Sequence, residues 1–397
     1  MSDSKPLVLI RHLKPVNILS FGPDFAGLDL LPLNVFVGPN GSGKSNLIEL
    51  VNLIRASAGN FSDVTRKGGG VAEWFWKGNS KGAASIEWIL GRPGNDTDLR
   101  HFFEFGTYEQ RFSLEDEWIG DAEADDDGEV KSYYEGLGEG RQTVLYRHGP
   151  EEEIRRAEPP LKKPDSSIVG QLRDPLGFPE FAWLVQNYEK VRIYREWTFG
   201  RNGVFREPQR ADMRNDFLEE DFSNLGLYLS KLRKTPKAKK AIIENLKELY
   251  DGLTDFDVVA EGGTVQVFFT EGDFVIPAAR LSDGTLRYLC LLAILCDPDP
   301  PPLICIEEPE LGLHPDILPT VADLLKAASE RTQLIVTTHS DILVDAMTET
   351  PECVVICEKH EGKTEMTRLS SEELATWLEQ YRLGDLWIKG QLGGKRW

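Results

Sequence analysis

A glycine-rich stretch at residues 37–46, Val-Gly-Pro-Asn-Gly-Ser-Gly-Lys-Ser-Asn, constrains the chain more than any other feature. It contains the Gly-x-x-x-x-Gly-Lys-Ser pattern of a phosphate-binding loop, whose glycines let successive backbone N–H groups face phosphate oxygens. The apolar run Leu33–Val37 before the loop predicts a buried strand, and apolar spacing over residues 44–54 predicts a helix. A chance glycine-serine turn would lack this order of strand, loop and helix.

The residue types of this loop predict how a nucleotide would be held. Lys44 would neutralise the β- and γ-phosphates, and the Ser45 hydroxyl would ligate Mg²⁺. The helix that starts at the loop would add its positive N-terminal end. The predicted cofactors are therefore ATP and Mg²⁺. The candidate nucleotide-binding residues of the loop are Asn40, Gly41, Ser42, Gly43, Lys44, Ser45 and Asn46.

Length, charge and cysteine content limit the class of protein. A chain of 397 residues can form one large domain or two. No apolar run reaches the roughly 18 residues of a membrane span, and the N-terminus lacks the pattern of a signal peptide. The five cysteines lie in apolar segments, as buried reduced thiols of a cytoplasmic protein would. The net charge of −20 argues against broad adhesion to nucleic acid, but allows a local basic groove.

Residue patterns after the loop predict several kinds of structure in turn. Alternating residues at 84–90, 100–105 and 110–114 predict an antiparallel sheet with one solvated face. The acidic stretch 116–129 predicts a solvated loop, and the charged, proline-rich stretch 151–165 predicts a linker or exposed loop. Helices are predicted at 178–189, 212–234 and 236–250, and three strands between residues 255 and 277. From residue 280, helices and strands alternate, which predicts a mostly parallel sheet in an α/β protein.

Two acids follow the buried apolar run 303–306. Glu307 would bind Mg²⁺, through water, at the carboxyl end of this strand. Glu308 would orient or deprotonate the attacking water as a general base. The alternative is a charged turn at the end of a strand, but four apolar residues before paired acids favour the catalytic interpretation.

Two further motifs each have a functional and a purely structural interpretation. Residues 281–285, here named the signature loop, would offer the Ser282 hydroxyl, Gly284, Thr285 and a helix N-terminus to the γ-phosphate bound by a partner subunit. Alternatively, Ser282 is simply the N-cap of that helix. His339 follows the predicted strand 333–338 and could contact the γ-phosphate or the attacking water. Alternatively, Ser340 or Asp341 caps the next helix and His339 has no role.

Together these motifs resemble those of the ABC-type ATPases of the SMC and RecF group, and more closely those of stand-alone AAA ATPases related to the OLD family. The matching stretches are GPNGSGKSN (Walker A), LSDGT (signature), LICIEEPE (Walker B), LGLHP (the D-loop, residues 311–315) and TTHS (the switch histidine). The tail at 383–394 is also similar. Glu307 stands where many ABC proteins have Asp, and the 46–280 interval lacks the heptads of a long coiled-coil arm.

The resemblance implies a fold and a set of site residues. The fold is a P-loop NTPase of ABC/RecF type: a mixed-sheet core, an antiparallel β subdomain and an inserted helical lobe. The implied ATPase core is residues 1–60 and 253–397, the antiparallel β region with its acidic loop is 61–177, and the helical lobe is 178–252. The implied catalytic residues are Lys44, Glu308 and His339. Ser45 and Glu307 would hold the metal, with Gln171 as the candidate Q-loop ligand.

The resemblance also implies partners. In this group, two heads sandwich two ATP molecules, each between one Walker A loop and the opposite signature loop. A homodimer or higher homo-oligomer is therefore expected. OLD-type proteins carry a TOPRIM nuclease domain after the ATPase, and the roughly 40 residues after Val355 hold no Asp-x-Asp pair. A separately encoded, nuclease-like effector is therefore expected.

Two basic stretches are candidate partner surfaces. Residues 231–240 hold Lys231, Arg233, Lys234, Lys237, Lys239 and Lys240 and no acid. They could contact the phosphate backbone of DNA or RNA, or form a solvated helix pair. The arginines between residues 192 and 214, interleaved with Tyr194, Trp197 and Phe199, suit nucleic acid, a protein partner or a packed edge.

Three functions compete for these motifs. The favoured one is an ATP-binding and ATP-hydrolysing switch in DNA maintenance or anti-phage defence. The alternative is the ATP-binding subunit of a membrane transporter, which the Asp-Gly-Thr signature, the paired acids and the large insertion between Walker A and the signature disfavour. The third is a scaffold that binds ATP without hydrolysing it, which the intact Lys44, Glu307, Glu308 and His339 disfavour.

Overall fold

The computed structural model describes residues 8–78, 83–94, 97–125, 128–136, 143–148, 154–157, 165–198, 200 and 203–394. The strands are β1 (Ile10–Val16), β2 (Leu28–Asp29), β3 (Leu33–Val37), β4 (Ala84–Leu90), β5 (Leu99–Tyr108), β6 (Arg111–Asp121), β7 (Ser132–Glu135), β8 (Val144–His148), β9 (Ile154–Ala157), β10 (Arg192–Tyr194), β11 (Gln209–Arg210), β12 (Leu253–Glu261), β13 (Thr264–Glu271), β14 (Phe274–Pro277), β15 (Leu303–Glu307), β16 (Gln333–Thr338), β17 (Val354–His360) and β18 (Lys363–Arg368). The α-helices are α1 (Lys44–Ala56), α2 (Phe61–Lys67), α3 (Ile168–Gln171), α4 (Pro179–Lys190), α5 (Leu225–Arg233), α6 (Pro236–Leu249), α7 (Asp283–Leu295), α8 (Leu318–Ser329), α9 (Asp341–Ala346), α10 (Ser371–Leu378) and α11 (Leu383–Ile388).

The central sheet has strand order β10-β15-β16-β3-β17-β18. Its neighbouring strands are parallel except for the antiparallel pair β17 and β18. Side chains of one strand alternate between two cores: Ile304 and Ile306 pack in one, Leu303 and Cys305 in the other. Because both faces are covered, the strands are continuous apolar runs.

Different elements cover the two faces of this sheet. Helices α5 to α9 supply most of one core, through residues such as Leu229, Ile242 and Leu289. Helices α1 and α4 supply the other, together with the large antiparallel sheet β2-β1-β4-β5-β6-β7-β8-β9. A small antiparallel sheet, in which β13 pairs with β11, β12 and β14, packs beside α5 and α6.

The predicted α/β class, the mixed core sheet and the antiparallel β subdomain are confirmed. The predicted lobe 178–252 contributes to both cores, since α4 packs with the antiparallel sheet and α5 and α6 pack on the opposite face. The strands β12 and β13 pack with α5 and α6. The division of the chain at residues 60, 177 and 252 stays a prediction.

The predicted helix at 212–234 is wrong over its first half, because α5 begins only at Leu225. The Asn224 side chain accepts from the Glu219 N–H and donates to the carbonyls of Arg214 and Phe217. These bonds hold the preceding segment in turns, which is how a short polar side chain competes with helix formation.

The predicted acidic loop at 116–129 is also wrong at its start, since β6 continues to Asp121. Its Glu117 is 1% exposed, so this acid belongs to the core rather than to a solvated face. Residues 126–127 lie outside the described residues. Within the predicted linker 151–165, Ile154–Ala157 forms β9, and residues 151–153 and 158–164 lie outside the described residues. In the ranges that the structure describes, no helix is both long and apolar enough to cross a membrane.

Glu117 is the centre of a buried hydrogen-bond network. It accepts from His101 Nε2 at 3.0 Å, from the Ile168 N–H at 2.9 Å and from the Ser167 hydroxyl. His101 Nδ1 lies 3.0 Å from the buried Tyr188 hydroxyl. The network therefore links strands β5 and β6 to helices α3 and α4. Its hydrogen bonds offset the desolvation cost of burying these polar groups.

We expect Glu117→Ala to lower the free energy of unfolding by about 3–5 kcal/mol, because it leaves the donors of His101, Ser167 and Ile168 unpaired in the core. Chemical denaturation followed by circular dichroism measures this loss. The matched control is Glu115→Ala, an exposed acid on the same strand, which should change stability by less than about 0.5 kcal/mol. Equal stabilities of the two variants would contradict the structural role of Glu117.

Candidate nucleotide site

The candidate site lies at one edge of the central sheet. Parallel strands β3, β15, β16 and β10 end at this edge, and the phosphate-binding loop, Glu307, His339 and Arg195 directly follow or close those strands. Ligands of open α/β sheets bind at the carboxyl ends of the strands. Sheet topology thus brings together residues that are up to 300 positions apart in the chain.

The loop backbone is shaped for phosphate. Gly43 has φ +106°, and a Cβ added there would lie 2.2 Å from Thr364 Oγ1, so a side chain is excluded on two grounds. Gly41 has φ +77° and faces open space, which leaves its backbone accessible. Asn40 and Gly41 are exposed, whereas Ser42 is buried with a hydroxyl that has no hydrogen-bond partner among the described residues.

Lys44 is the buried cation of the site. Its side chain is 6% exposed, and its Nζ donates to the Gly38 carbonyl at 2.7 Å and the Pro39 carbonyl at 3.0 Å. Burial lowers the pKa of Lys44, and the nearby Glu307 and Glu308 oppose that shift. A buried ammonium held by neutral carbonyls is a favourable counter-charge for phosphate oxygens.

The side chains of Ser45 and Glu307 are in contact, as their predicted roles in holding Mg²⁺ require. The exposed Ser45 hydroxyl donates to Glu307 Oε1. A hydroxyl and a carboxylate beside a phosphate-binding loop form the oxygen donor set that Mg²⁺ prefers. The donor chemistry and the open face of Gly41 therefore fit a Mg²⁺-nucleotide. Asn46 points elsewhere: its amide donates to Ser20 Oγ at 2.7 Å, so it supports the loop from behind.

Glu308 has a strained backbone. Its φ is +48°, which non-glycine residues seldom adopt, and its N–H donates to the Thr337 carbonyl at 2.9 Å. Such strain concentrates at functional sites. His339 Nε2 lies 3.5 Å from Glu308 Oε1. The structure thus brings together the predicted base and the predicted switch histidine.

Glu310 is a site residue that the sequence interpretation missed. Its Oε1 accepts from Thr338 Oγ1 at 2.8 Å and from the His339 N–H at 2.7 Å. Burial raises the pKa of Glu310, and the hydrogen bonds from His339 and Thr338 oppose that shift. Glu310 therefore fixes the backbone that carries His339. The only signal in the sequence was a third acid two residues after Glu308.

The signature loop is exposed at Ser282 and Asp283, and neighbouring residues hold it in place. Ser282 is indeed the N-cap of α7, since its hydroxyl accepts from the Thr285 N–H at 3.1 Å. Gly284 packs so closely that an added Cβ would lie 3.0 Å from the Gly312 carbonyl of the D-loop. Arg206 donates to the carbonyls of Ala279 and Leu281, at 2.7 and 2.9 Å, and to Asp283. Ser282 caps α7 and is exposed at the same time, so its N-cap role does not exclude contact with a phosphate.

Gln171 is not placed to ligate a metal at Ser45, and that prediction is wrong. Its amide donates to the carbonyls of Ser166 and Ser167. A Cβ on the neighbouring Gly170 would lie 3.2 Å from the backbone of Ala58, just beyond the far end of α1. The 13 steps from Ser45 to Ala58, nearly all within α1, span about 20 Å. The side chain of Arg195, not that of Gln171, lies next to Glu307.

The basic stretch 231–240 is largely neutralised. Lys231 lies near Asp297, Arg233 contacts Asp257, Lys239 contacts Asp255 at 2.9 Å, and Lys240 lies near Glu244. Acids of β12 thus offset a positive charge that looked isolated in the sequence. In the arginine-rich stretch, Phe199 and Arg201 lie outside the described residues. Contact of either stretch with nucleic acid stays a prediction.

A cleft of about 1300 Å³ opens at the opposite edge of the central sheet. It is lined by Arg192 at the start of β10 and by Pro301 just before β15, among others. Acids and arginines line it together, and it lies at the amino ends of the strands. It is therefore separate from the phosphate-binding loop.

Comparison with known proteins agrees with this geometry. The model of the family described as "AAA domain, putative AbiEii toxin, Type IV TA system" matches residues 33–345. The chain belongs to this family. The match spans every motif from the phosphate-binding loop to the switch histidine. No curated protein matches the chain.

Solved SMC head domains share the fold. One is the SMC head bound to the C-terminal winged-helix domain of ScpA: 15% identity, TM-score 0.59, covering 93% of this chain and 100% of that one. Another, from Pyrococcus furiosus, has an extended coiled coil and is bound to the C-terminal domain of ScpA: 14% identity, TM-score 0.57, covering 94% and 99%. A third, from Pyrococcus yayanosii, has a coiled coil and joint: 12% identity, TM-score 0.51, covering 94% and 99%.

The predicted resemblance to an SMC- or RecF-like ATPase head is thus confirmed: the family model gives the AAA family named above, and the solved SMC heads give the fold. Proteins of this family and fold are P-loop ATPases, which in general bind ATP with Mg²⁺. When bound, Mg²⁺ would supply charge neutralisation at the phosphates. The described residues that would hold the metal-nucleotide are Ser45, Glu307 and Lys44. Closer kinship to the OLD family stays a prediction.

We expect Glu310→Ala to slow ATP hydrolysis about 10²-fold, because loss of the acceptor for Thr338 and His339 lets the histidine shift relative to Glu308. ATP affinity should change little, since Glu310 Oε1 bonds Thr338 and His339 and its Oε2 has no hydrogen-bond partner among the described residues. Steady-state hydrolysis and equilibrium nucleotide binding measure the two effects. Glu310→Gln is the matched control, because its amide oxygen still accepts both bonds. Equal loss in both variants would contradict a positioning role.

Proposed function

We propose that this protein is an ATP-driven switch. Two copies close their heads around two Mg²⁺-ATP molecules, each held by the phosphate-binding loop of one copy and the signature loop of the other. Hydrolysis then releases the heads. Lys44 and Ser45 bind and orient the triphosphate, Glu308 accepts the proton of the attacking water, and His339 orients that water.

The observation that carries this proposal is the combination of exposure and rigidity in the signature loop. Ser282 is exposed at the N-terminus of a helix of 13 residues, whose dipole favours an anion. Arg206 and the backbone of Gly312 fix the loop from behind. On the adjacent D-loop, Leu311 is 48% exposed. This exposed surface beside a helix N-terminus is open to the γ-phosphate that a second head would carry.

The proposed setting is DNA maintenance or anti-phage defence, with a separately encoded effector such as a nuclease. The family description, which names a putative AbiEii toxin of a type IV toxin–antitoxin system, supports a role in defence. The proposed location is the cytoplasm, where buried thiols such as those of Cys290 and Cys305 stay reduced.

The shared site is tested by mixing two inactive variants, Lys44→Ala and Ser282→Asp. Aspartate is a good N-cap, so Ser282→Asp should preserve α7 while repelling the γ-phosphate. Each variant alone should lose hydrolysis. A 1:1 mixture should regain roughly a quarter of wild-type activity, since half of randomly formed dimers carry one intact site of two.

Ser282→Asn is the control, because it keeps the cap without adding charge. Subunit exchange in the mixture is verified by native mass spectrometry of differently tagged copies. No recovery in a mixture that does exchange subunits would contradict a shared site. Wild-type hydrolysis by Ser282→Asp alone would contradict it equally.

A further inference from the structure

Arg195 occupies a position beside the metal-binding carboxylate. Strand β10 runs parallel to β15 with Tyr194 opposite Ile306, so the next residues of the two strands, Arg195 and Glu307, fall side by side at the nucleotide edge. Arg195 Nε lies 3.2 Å from Glu307 Oε2, and its Nη1 donates to Glu49 of α1. The guanidinium thus bridges the helix of the phosphate-binding loop and the Walker B strand.

The two oxygens of Glu307 have different partners. Oε1 accepts from the Ser45 hydroxyl, and Oε2 faces Arg195. Ser45 and Glu307 are the side chains that would hold Mg²⁺. A permanent cation already in contact with this carboxylate repels a second cation and competes for its lone pairs.

Little solvent screens this pair. The side chain of Arg195 is 27% exposed and that of Glu307 is 18% exposed. An arginine guanidinium stays protonated in proteins over the whole accessible pH range. Arg195 therefore stays charged.

The backbone on both sides of Arg195 is fixed, which keeps its side chain within reach of Glu307. The Trp197 indole N–H donates to the Glu307 carbonyl at 2.7 Å, and its ring packs against the guanidinium of Arg287 of α7, 4.5 Å from the ring centre. The segment is thus held at both ends, by β10 and by Trp197.

We propose that Arg195 is a positioning residue that competes with Mg²⁺ for Glu307 and so sets the Mg²⁺ concentration at which the head takes up ATP. Glu49 is the second anchor, which holds Arg195 partly away from Glu307. This inference rests on the proposed Mg²⁺-ATP site. It predicts opposite effects of the two residues on the Mg²⁺ requirement. Without Arg195, Glu307 is free to bind Mg²⁺; without Glu49, Arg195 has Glu307 as its remaining carboxylate partner and competes with Mg²⁺ more strongly.

The test is a Mg²⁺ titration of equilibrium binding of a fluorescent, non-hydrolysable ATP analogue to the full chain. We expect Arg195→Gln to lower the Mg²⁺ concentration at half-maximal binding by about tenfold. Glu49→Gln should raise it. Binding in EDTA should be the same in all variants, because the effect requires the metal.

Arg55→Gln is the matched control. Arg55 lies on α1, as Glu49 does, and its side chain is 27% exposed, as that of Arg195 is, but it contacts Glu220 rather than Glu307. It should titrate as wild type does. Thermal unfolding without nucleotide checks that each variant is folded, and if Arg195→Gln does not fold, Glu49→Gln tests the inference through its opposite sign.

An unchanged or raised midpoint in folded Arg195→Gln would overturn the inference while leaving the proposed function intact. A lowered midpoint in folded Glu49→Gln would overturn it too. Nucleotide binding by the wild type that does not depend on Mg²⁺ would instead overturn the proposed site, and this inference with it.

Discussion

The site depends on the parallel register of four neighbouring strands, β10, β15, β16 and β3. Hydrogen bonds between them set Tyr194 beside Ile306, Glu307 beside Thr337, and Thr338 beside Val37. Each of these residues is the last or nearly the last of its strand, so the chain leaves the sheet four times at one edge. A slip of one residue would turn every side chain to the other face and separate the groups.

The two cores hold this register from both sides. Each central strand contributes apolar side chains to both cores. Close packing on both faces therefore opposes any shift of the sheet relative to the layers that cover it. The antiparallel sheet, anchored by the buried Glu117, forms a fixed layer behind α1. The signature helix α7 is buried along nearly its whole length on the opposite side, so only its N-terminus reaches the surface.

Much of this could be predicted from the sequence, and the rest could not, for a physical reason. Lys44, Ser45, Glu307, Glu308 and His339 were identifiable because each sits in a short stretch whose local pattern carries its chemistry. Arg195, Glu310 and Arg206 act through partners about 30 to 150 positions away, and only the folded register brings them together. Gln171 failed for the same reason: the fold places it beside the far end of α1, and no local pattern encodes that contact. The helix expected from residue 212 failed because one side chain, Asn224, satisfies the backbone in turns.

The central claim is that ATP itself brings two heads together. The most direct measurement is the solution mass of Glu308→Gln by light scattering, with and without Mg²⁺-ATP, since this variant should bind ATP and hydrolyse it slowly. The account predicts that the mass doubles only when Mg²⁺-ATP is present, and that Lys44→Ala abolishes the change. A monomer under both conditions, in a variant shown to bind ATP, would contradict it.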